Sequence, residues 1–410
     1  MDKNSLVKKE LVVAVILLFI SVSVIPSTAA MVEKKFSMPT NYDGNTLYVG
    51  GGGPDNYTKI QDAIDNANIG DTVFVYSGYY TEEIEIYKSI NLIGEHKDST
   101  SIAGQDVYDH IDVVKIIADD VVIEGFTIKH SGKVDCGILI RSNNNQISFC
   151  NIIDNGHGIL VIGQNNNFLH CFFHNNDFIA LKISGMYNVI SNCIFDKDEI
   201  ELMITKNTII SDCEIFNAYI GIHFYVSDNN EIINCHIHDV VQGISVREGG
   251  FNYVIKDCII ENISLLGGIN SDYMEDLQLI NTTIANCSYY GVRISSYLAN
   301  AVISGCRFIN NELSGLSVGG LRNVEISNNH FEGNQQGLSL VNRNLFNFIL
   351  QNNFINNEIN IDPNPYGYFY YMINRFNNNY FDDWLGIGPY HVYGFLNWDF
   401  NPATKPHNLN

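Results

Sequence analysis

The feature that most restricts the fold of this chain is a four-residue pattern, x-Cys-x-apolar, that returns along most of its length. Copies centre on Cys150, Cys171, Cys193, Cys213, Cys235, Cys258 and Cys306, and further copies place Phe126, Thr282, Asn329, Asn352 and Asn378 in the Cys slot. From Phe126 to Asn378 the intervals are 24, 21, 22, 20, 22, 23, 24, 24, 23, 23 and 26 residues. A period of this length without helical apolar spacing means a solenoid, in which each repeat buries its apolar face only by stacking on its neighbours.

A second column sets the register. Gly137-Ile138-Leu139-Ile140, Gly158-Ile159-Leu160-Val161, Gly221-Ile222-His223-Phe224, Gly243-Ile244-Ser245-Val246, Gly291-Val292-Arg293-Ile294 and Gly315-Leu316-Ser317-Val318 keep the first and third residues after Gly apolar, and the second is usually polar. Period two predicts a short strand with one face buried. Strands repeated once per coil pair with their equivalents above and below, so the sheets are parallel. Asn-rich segments such as Asn143-Asn144-Asn145, Asn165-Asn166-Asn167, Asp228-Asn229-Asn230 and Asn356-Asn357 fall between strands. Asn accepts left-handed backbone and bonds to nearby main chain, so these segments predict tight corners, with stacked Asn side chains hydrogen-bonded along the axis. Cys and the apolar residue two places on share a face, which places the thiols in the core. At about 4.8 Å per coil their Cβ atoms sit farther apart than the roughly 3.8 Å of a disulfide. Stacked free thiols are therefore the favoured reading, ahead of disulfides or a metal site.

Length alone, 410 residues, suggests two or three domains, whereas the repeat makes most of the chain one solenoid of about a dozen coils. Residues 1–30 carry Lys3, Lys8 and Lys9, an apolar run, then Thr28-Ala29-Ala30, the parts of a cleavable signal peptide; an uncleaved anchor is the alternative. Residues 31–56 read as an N-terminal extension, 57–378 as the solenoid and 379–410 as its C-terminal cap. Ile60, Ala63, Ile64 and Ala67 have helix spacing with Thr58 as a candidate N-cap, so a short helix closes the N-terminal end. The aromatic run Tyr366 to Tyr371, with Tyr380, Phe381, Trp384, Trp398 and Phe400, closes the other. With 45 Asp+Glu against 23 Lys+Arg the formal charge is −22. No basic cluster offers phosphates a site, which excludes nucleic acid as a partner; a membrane is met only through the N-terminal segment, if that is uncleaved.

Ile60-Gln61-Asp62-Ala63-Ile64, Gly70-Asp71-Thr72-Val73, Ser77-Gly78-Tyr79-Tyr80 and Ser89-Ile90-Asn91-Leu92-Ile93-Gly94 resemble the opening coils of the right-handed parallel β-helix superfamily, which includes pectin lyases and NosD-type periplasmic proteins. The Asn-rich coils and the ending Asn379-Tyr380-Phe381-Asp382-Asp383-Trp384 resemble exported NosD-like surface proteins most. The resemblance covers residues 45–405 or so and implies an all-β, single-stranded right-handed parallel β-helix. The catalytic motifs of polygalacturonase-like, pectinesterase-like and pectate-lyase-like relatives do not recur here. For NosD-type proteins the resemblance implies service to a copper site. Calcium and copper are the ions it brings in, but the ligand spacing indicates neither: His174 and His238 share a column three coils apart. No metal site and no cofactor are expected.

The register also gives an outward row. His223, Ser245, Asn270 and Arg293 follow one another on successive coils, and Tyr225, Arg247, Asp272 and Ser295 follow two places on. A glycan laid along this face would meet His223, Tyr225, Arg247, Asn270, Asp272 and Arg293, with Asp272 a candidate acid or base and Arg247 a candidate stabiliser of a developing anion. Three functions are open: a non-catalytic exported surface protein that binds polysaccharide or cell-surface glycan, a polysaccharide lyase or glycosidase using Asp272 with Glu248 or Glu275, and a NosD-like accessory protein of copper-site assembly.

Overall fold

The computed structural model describes residues 44–104, 112–341, 344–362, 372–392 and 397–408. The signal segment 1–30 and the aromatic run Tyr366 to Tyr371 lie outside the described residues. Residues 43–410 form one compact unit, built almost entirely of short strands. A typical coil contributes three, as in Gln242–Arg247, Val254–Lys256 and Ile259–Glu261. The first two kinds belong to a 31-stranded sheet and the third to a separate 14-stranded sheet. The second sheet counts about 14 turns, slightly more than the repeat alone indicates, because the coils before Phe126 lack the Cys pattern.

The pairing is parallel and offset by one coil, as in Ile244 with Ile269, Ile255 with Leu279 and Ile260 with Ile284. The strands stay short because a left-handed residue interrupts each coil directly before the repeat slot. His170, Asn192, Asp212, Asn234, Asp257 and Asn281 all hold positive φ there, the conformation that Asn and Asp tolerate best. The glycine column has a different cause. A Cβ on Gly315 would lie 2.8 Å from Gly337 O and 2.9 Å from Phe308 Cβ, so only glycine lets this strand pass the opposite sheet.

All nine cysteines are free and buried. Burial pushes the thiols of Cys287 and Cys306 up to about 12, so they behave as small apolar side chains. The slot read at Asn378 is one residue early. Asn352 N donates to Asn379 Oδ1 at 3.0 Å, continuing the column through Asn379. The α-helix, Ile60–Asn66, buries Ile60, Ala63 and Ile64 against the first coils as expected. Its cap differs: Lys59 occupies the N-cap without a side-chain bond, and Ile60 N and Gln61 N donate instead to the Glu82 carboxylate at 2.9 and 3.1 Å. A carboxylate satisfies two free N–H groups where the Thr58 hydroxyl would satisfy one. Strand Thr46–Val49, ahead of the helix, already pairs in parallel with Thr72–Val75. At the C-terminal end Tyr390–His391 turns antiparallel to Trp398–Asp399. Among the described residues no helix is long and apolar enough to cross a membrane.

Buried asparagines run as ladders beside the core. Asn155 N donates to Asn176 Oδ1, and Asn176 N and Nδ2 donate to Asp198 at 3.0 and 2.7 Å. The next coils put Ala218, Val240 and Ile263 at this corner, so the ladder stops at Asp198, which is only 3% exposed. An amide both donates and accepts, and the terminal member need only accept, which a carboxylate does. Burial raises the Asp198 carboxyl to about 7, against the lowering effect of the Asn176 bonds. A carboxyl with a raised folded value stabilises the fold at low pH, and that contribution fades as pH rises through the folded value. Between pH 5 and pH 7 the fall is about 2 kcal/mol. Asp198→Asn is expected to remove this part of the decline, so that the gap between urea melts at the two pH values narrows, while the part due to Glu199, whose carboxyl burial also raises to about 7, remains. An unchanged pH slope in the variant would show that Asp198 does not titrate in this range.

Candidate functional site

The outward row on the long sheet is as the register demands: Glu201 pairs with His223, His223 with Ser245, Ser245 with Asn270, and Asn270 with Arg293. Its chemistry is largely self-satisfied. Ser245 is 1% exposed. Arg293 lies over the Tyr290 ring at 5.6 Å, with Nη1 3.5 Å from Asn270 Oδ1. Tyr225 pairs with Arg247, and its hydroxyl donates to Glu248 at 2.7 Å. Burial lowers the His223 pKa, and among the described residues its Nε2 has no hydrogen-bond partner. The pairing shifts between Ser271 and Tyr273, so Asp272 falls at an irregularity and accepts from Ser295 Oγ at 3.0 Å. Among the described residues no hydrogen bond or ion pair joins Asp272 to Arg247, and Glu275 is engaged by Asn300.

A denser cluster lies on the 14-stranded sheet, where strand His236–His238 sits between Glu214–Phe216 and Ile259–Glu261. Period two turns both His236 and His238 outward, with Ile237 buried between them. Glu214 is the direct cross-strand neighbour of His236, and Phe216 that of His238. The two imidazoles lie 4.2 Å apart between ring centres. His238 Nε2 is 3.3 Å from Glu214 Oε1, while its Nδ1 is 2.7 Å from Asp239 Oδ2. His236 Nε2 lies 2.9 Å from Glu261 Oε1. One donor atom from each of Glu214, His236 and His238 can be chosen so that all lie within 4.8 Å of one another. Burial of the His238 ring disfavours its charge, but the bonds to Asp239 and Glu214 together outweigh that and raise its pKa above the ordinary value. The ring of Phe216 stacks on it at 5.2 Å.

Beside this cluster an open groove of about 600 Å³ follows the corner between the two sheets. His170, Asn192, Ile194, Asp212, Glu214, Asn234 and His236 are among its lining residues. Comparing histidines down a column correctly separates His174 from His238 by three coils. It misses the pair within one strand, and the signal that finds it is His-x-His followed across one coil to Glu214.

These donors have the types and the spacing of a set that can hold a metal ion. Two donors on one tetrahedral ion at about 2.1 Å stand about 3.4 Å apart, close to the 3.3 Å between His238 Nε2 and Glu214 Oε1. A carboxylate beside each ring, Asp239 and Glu261, matches the outer support that orients metal-binding imidazoles.

Comparison with curated proteins gives no match. Among solved structures the chain is similar to the A-module of mannuronan C-5 epimerase AlgE4 from Azotobacter vinelandii, at 15% identity and a TM-score of 0.56 over 67% of this chain and 92% of that one. It is also similar to tailspike protein 3 of bacteriophage CBA120, at 14% identity and a TM-score of 0.57 over 82% of this chain and 61% of that one. A family 28 exopolygalacturonase from Yersinia enterocolitica follows at 12% identity and a TM-score of 0.54, over 70% and 74% of the two chains. At these identities the likeness concerns the fold alone, a right-handed parallel β-helix. The family model described as periplasmic copper-binding protein (NosD) matches residues 179–383, half of the chain and the half that carries the Glu-His-His cluster, so the chain belongs to the NosD family.

Proposed function

We propose that this chain is an exported, non-catalytic β-helix that holds a copper ion on Glu214, His236 and His238. The observation that carries this reading is the convergence of two imidazoles and a carboxylate within 4.8 Å, inside the segment that matches the copper-binding family. The donor types favour the oxidised ion. Imidazole and carboxylate suit Cu(II) and Zn(II), with Cu(II) bound more tightly, whereas Cu(I) prefers sulfur, and every cysteine of this protein is buried. When bound, the ion supplies a charge that the chain carries and hands on. The residues of the protein hold it, orient it and leave it reachable from solvent. Residues 1–30 bring the chain out of the cytoplasm in this reading.

Competition titration with Cu(II) tests it. His236→Ala and His238→Ala are each expected to weaken binding about a hundredfold. The raised pKa of His238 makes protons compete above the ordinary histidine range, so affinity should fall at least tenfold from pH 8 to pH 6. Equal affinity in the wild type and the doubly substituted protein would remove the reading. Glycan binding along the row His223 to Arg293 is the second reading, supported by the hydrogen-bonding side chains on successive coils. A glycan array on wild type and Asn270→Ala, with a reducing-end assay on Asp272→Ala, separates binding from turnover.

A further inference from the structure

We propose that the Glu214, His236, His238 site is coordinatively open toward the corner groove, and that this groove admits the imidazole of a histidine from a partner chain as the fourth donor. The inference rests on the metal reading above and adds the chemistry of the partner. Among the described residues Glu214, His236 and His238 each offer a donor atom within 4.8 Å of the other two, while Asp239 and Glu261 are held against the rings as their hydrogen-bond partners, and a Cu(II) or Zn(II) ion takes at least four donors. A closed set of four protein ligands marks a structural ion, and an open position marks one that meets an external ligand.

The geometry decides on which side the open position lies. His238 is backed by the stacked Phe216 ring and by Asp239, and its side chain is 18% exposed. Glu214 and His236 stand in the wall of the groove, whereas His238 is not among its lining residues, so the groove reaches the donor set from the Glu214 and His236 side. Ile194 is the direct neighbour of Glu214 on the preceding coil and is 40% exposed, an apolar floor beside the ligand set. A ring such as imidazole lies on such a floor and still turns a nitrogen to the ion.

Charge selects the donor. The groove carries the acids Asp212 and Glu214, and the whole chain has a formal charge of −22. An incoming carboxylate meets like charge, whereas neutral imidazole meets none. An ion passed on between proteins needs a moment when both hold it, and an imidazole in the groove provides that state without displacing Glu214, His236 or His238.

The test uses the full exported chain loaded with one equivalent of Cu(II), titrated with imidazole, with a blocked Gly-His-Gly peptide, and with acetate. Electron paramagnetic resonance reads the number of nitrogen donors on the ion. The expected result is one added nitrogen with imidazole and peptide, no change with acetate, and at least tenfold weaker imidazole binding in Ile194→Trp. Ile259→Trp, on the far side of His236 in the same row, should bind imidazole as the wild type does. Stripping of the ion by imidazole, an unchanged spectrum at saturation, or an equal response to acetate overturns the inference while leaving the metal reading intact. Failure of Cu(II) to distinguish wild type from His238→Ala overturns both.

Discussion

Phe331→Ala is expected to cost about 3–5 kcal/mol of unfolding free energy, the range for removing a fully buried aromatic ring. Phe331 has no exposed surface and lies in a column of stacked rings, 4.8 Å from Phe308 and 4.9 Å from Phe354 between ring centres. Phe354 in turn stacks on Phe381 at 5.2 Å. In a solenoid each coil is held only by the coils above and below, so one truncation removes contacts on both sides. The surroundings cannot close over the gap, because the strands are fixed at the sheet spacing and Gly315 contributes no side chain near the ring. Urea denaturation reads the loss. Leu385→Ala, at a position 92% exposed, should change stability by less than about 0.5 kcal/mol. A loss below about 1.5 kcal/mol for Phe331→Ala would mean that the column repacks.

The fold was legible because its determinants repeat. The slot from Cys150 to Cys306 and the Gly-apolar-polar-apolar column each restate one local requirement on every coil, so a deviation at one position does not hide the period. What stayed hidden sits where the period breaks. Glu82 caps the helix at Ile60 and Gln61 from 22 and 21 residues away in sequence, and no local pattern announces that contact. The last slot is displaced by one residue because the segment before Asn379 departs from the regular interval. The irregularity at Asp272 has the same character: the pattern that placed His223, Ser245, Asn270 and Arg293 in one row assumes uninterrupted pairing, and that fails between Ser271 and Tyr273.

The candidate metal site was half legible. His236-Ile237-His238 shows from its spacing alone that both rings leave the same face of a strand. Glu214 is 22 residues earlier, and its place beside His236 follows once the slots Cys213 and Cys235 are aligned, since each residue directly follows its cysteine. The supporting carboxylates differ in this respect. Asp239 is adjacent to His238 in sequence, whereas Glu261 reaches His236 diagonally from the next coil, at 2.9 Å, a relation that depends on side-chain direction and not on register.

Asn329→Asp, a change of one amide nitrogen for one oxygen, should destabilise the protein by about 3–5 kcal/mol at pH 7, the scale for an uncompensated buried charge. Asn329 is fully buried; its Oδ1 accepts from Cys306 N at 2.9 Å, and its Nδ2 donates to Ile303 O at 2.8 Å and to Asn352 Oδ1 at 3.0 Å. A carboxylate keeps the first bond and turns its second oxygen on two acceptors. Protonation restores one donor, so the folded state holds the new carboxyl in its acid form, and the deficit is smallest below pH 4 and grows as pH rises through the raised folded value. The ladder continues from Asn352 to Asn379 and ends at Asp399, which accepts from Asn378 N, Asn379 N, Asn379 Nδ2 and Asn401 N at 2.9 to 3.2 Å. There the opposite change, Asp399→Asn, sets an amide N–H₂ against N–H donors and should also destabilise. The amides therefore have a direction along the axis, each passing a donor toward the C-terminal coil, and the carboxylate belongs only at the end of the row. If Asn329→Asp costs less than about 1 kcal/mol at pH 7 in urea melts, bond direction is not what requires asparagine inside this ladder.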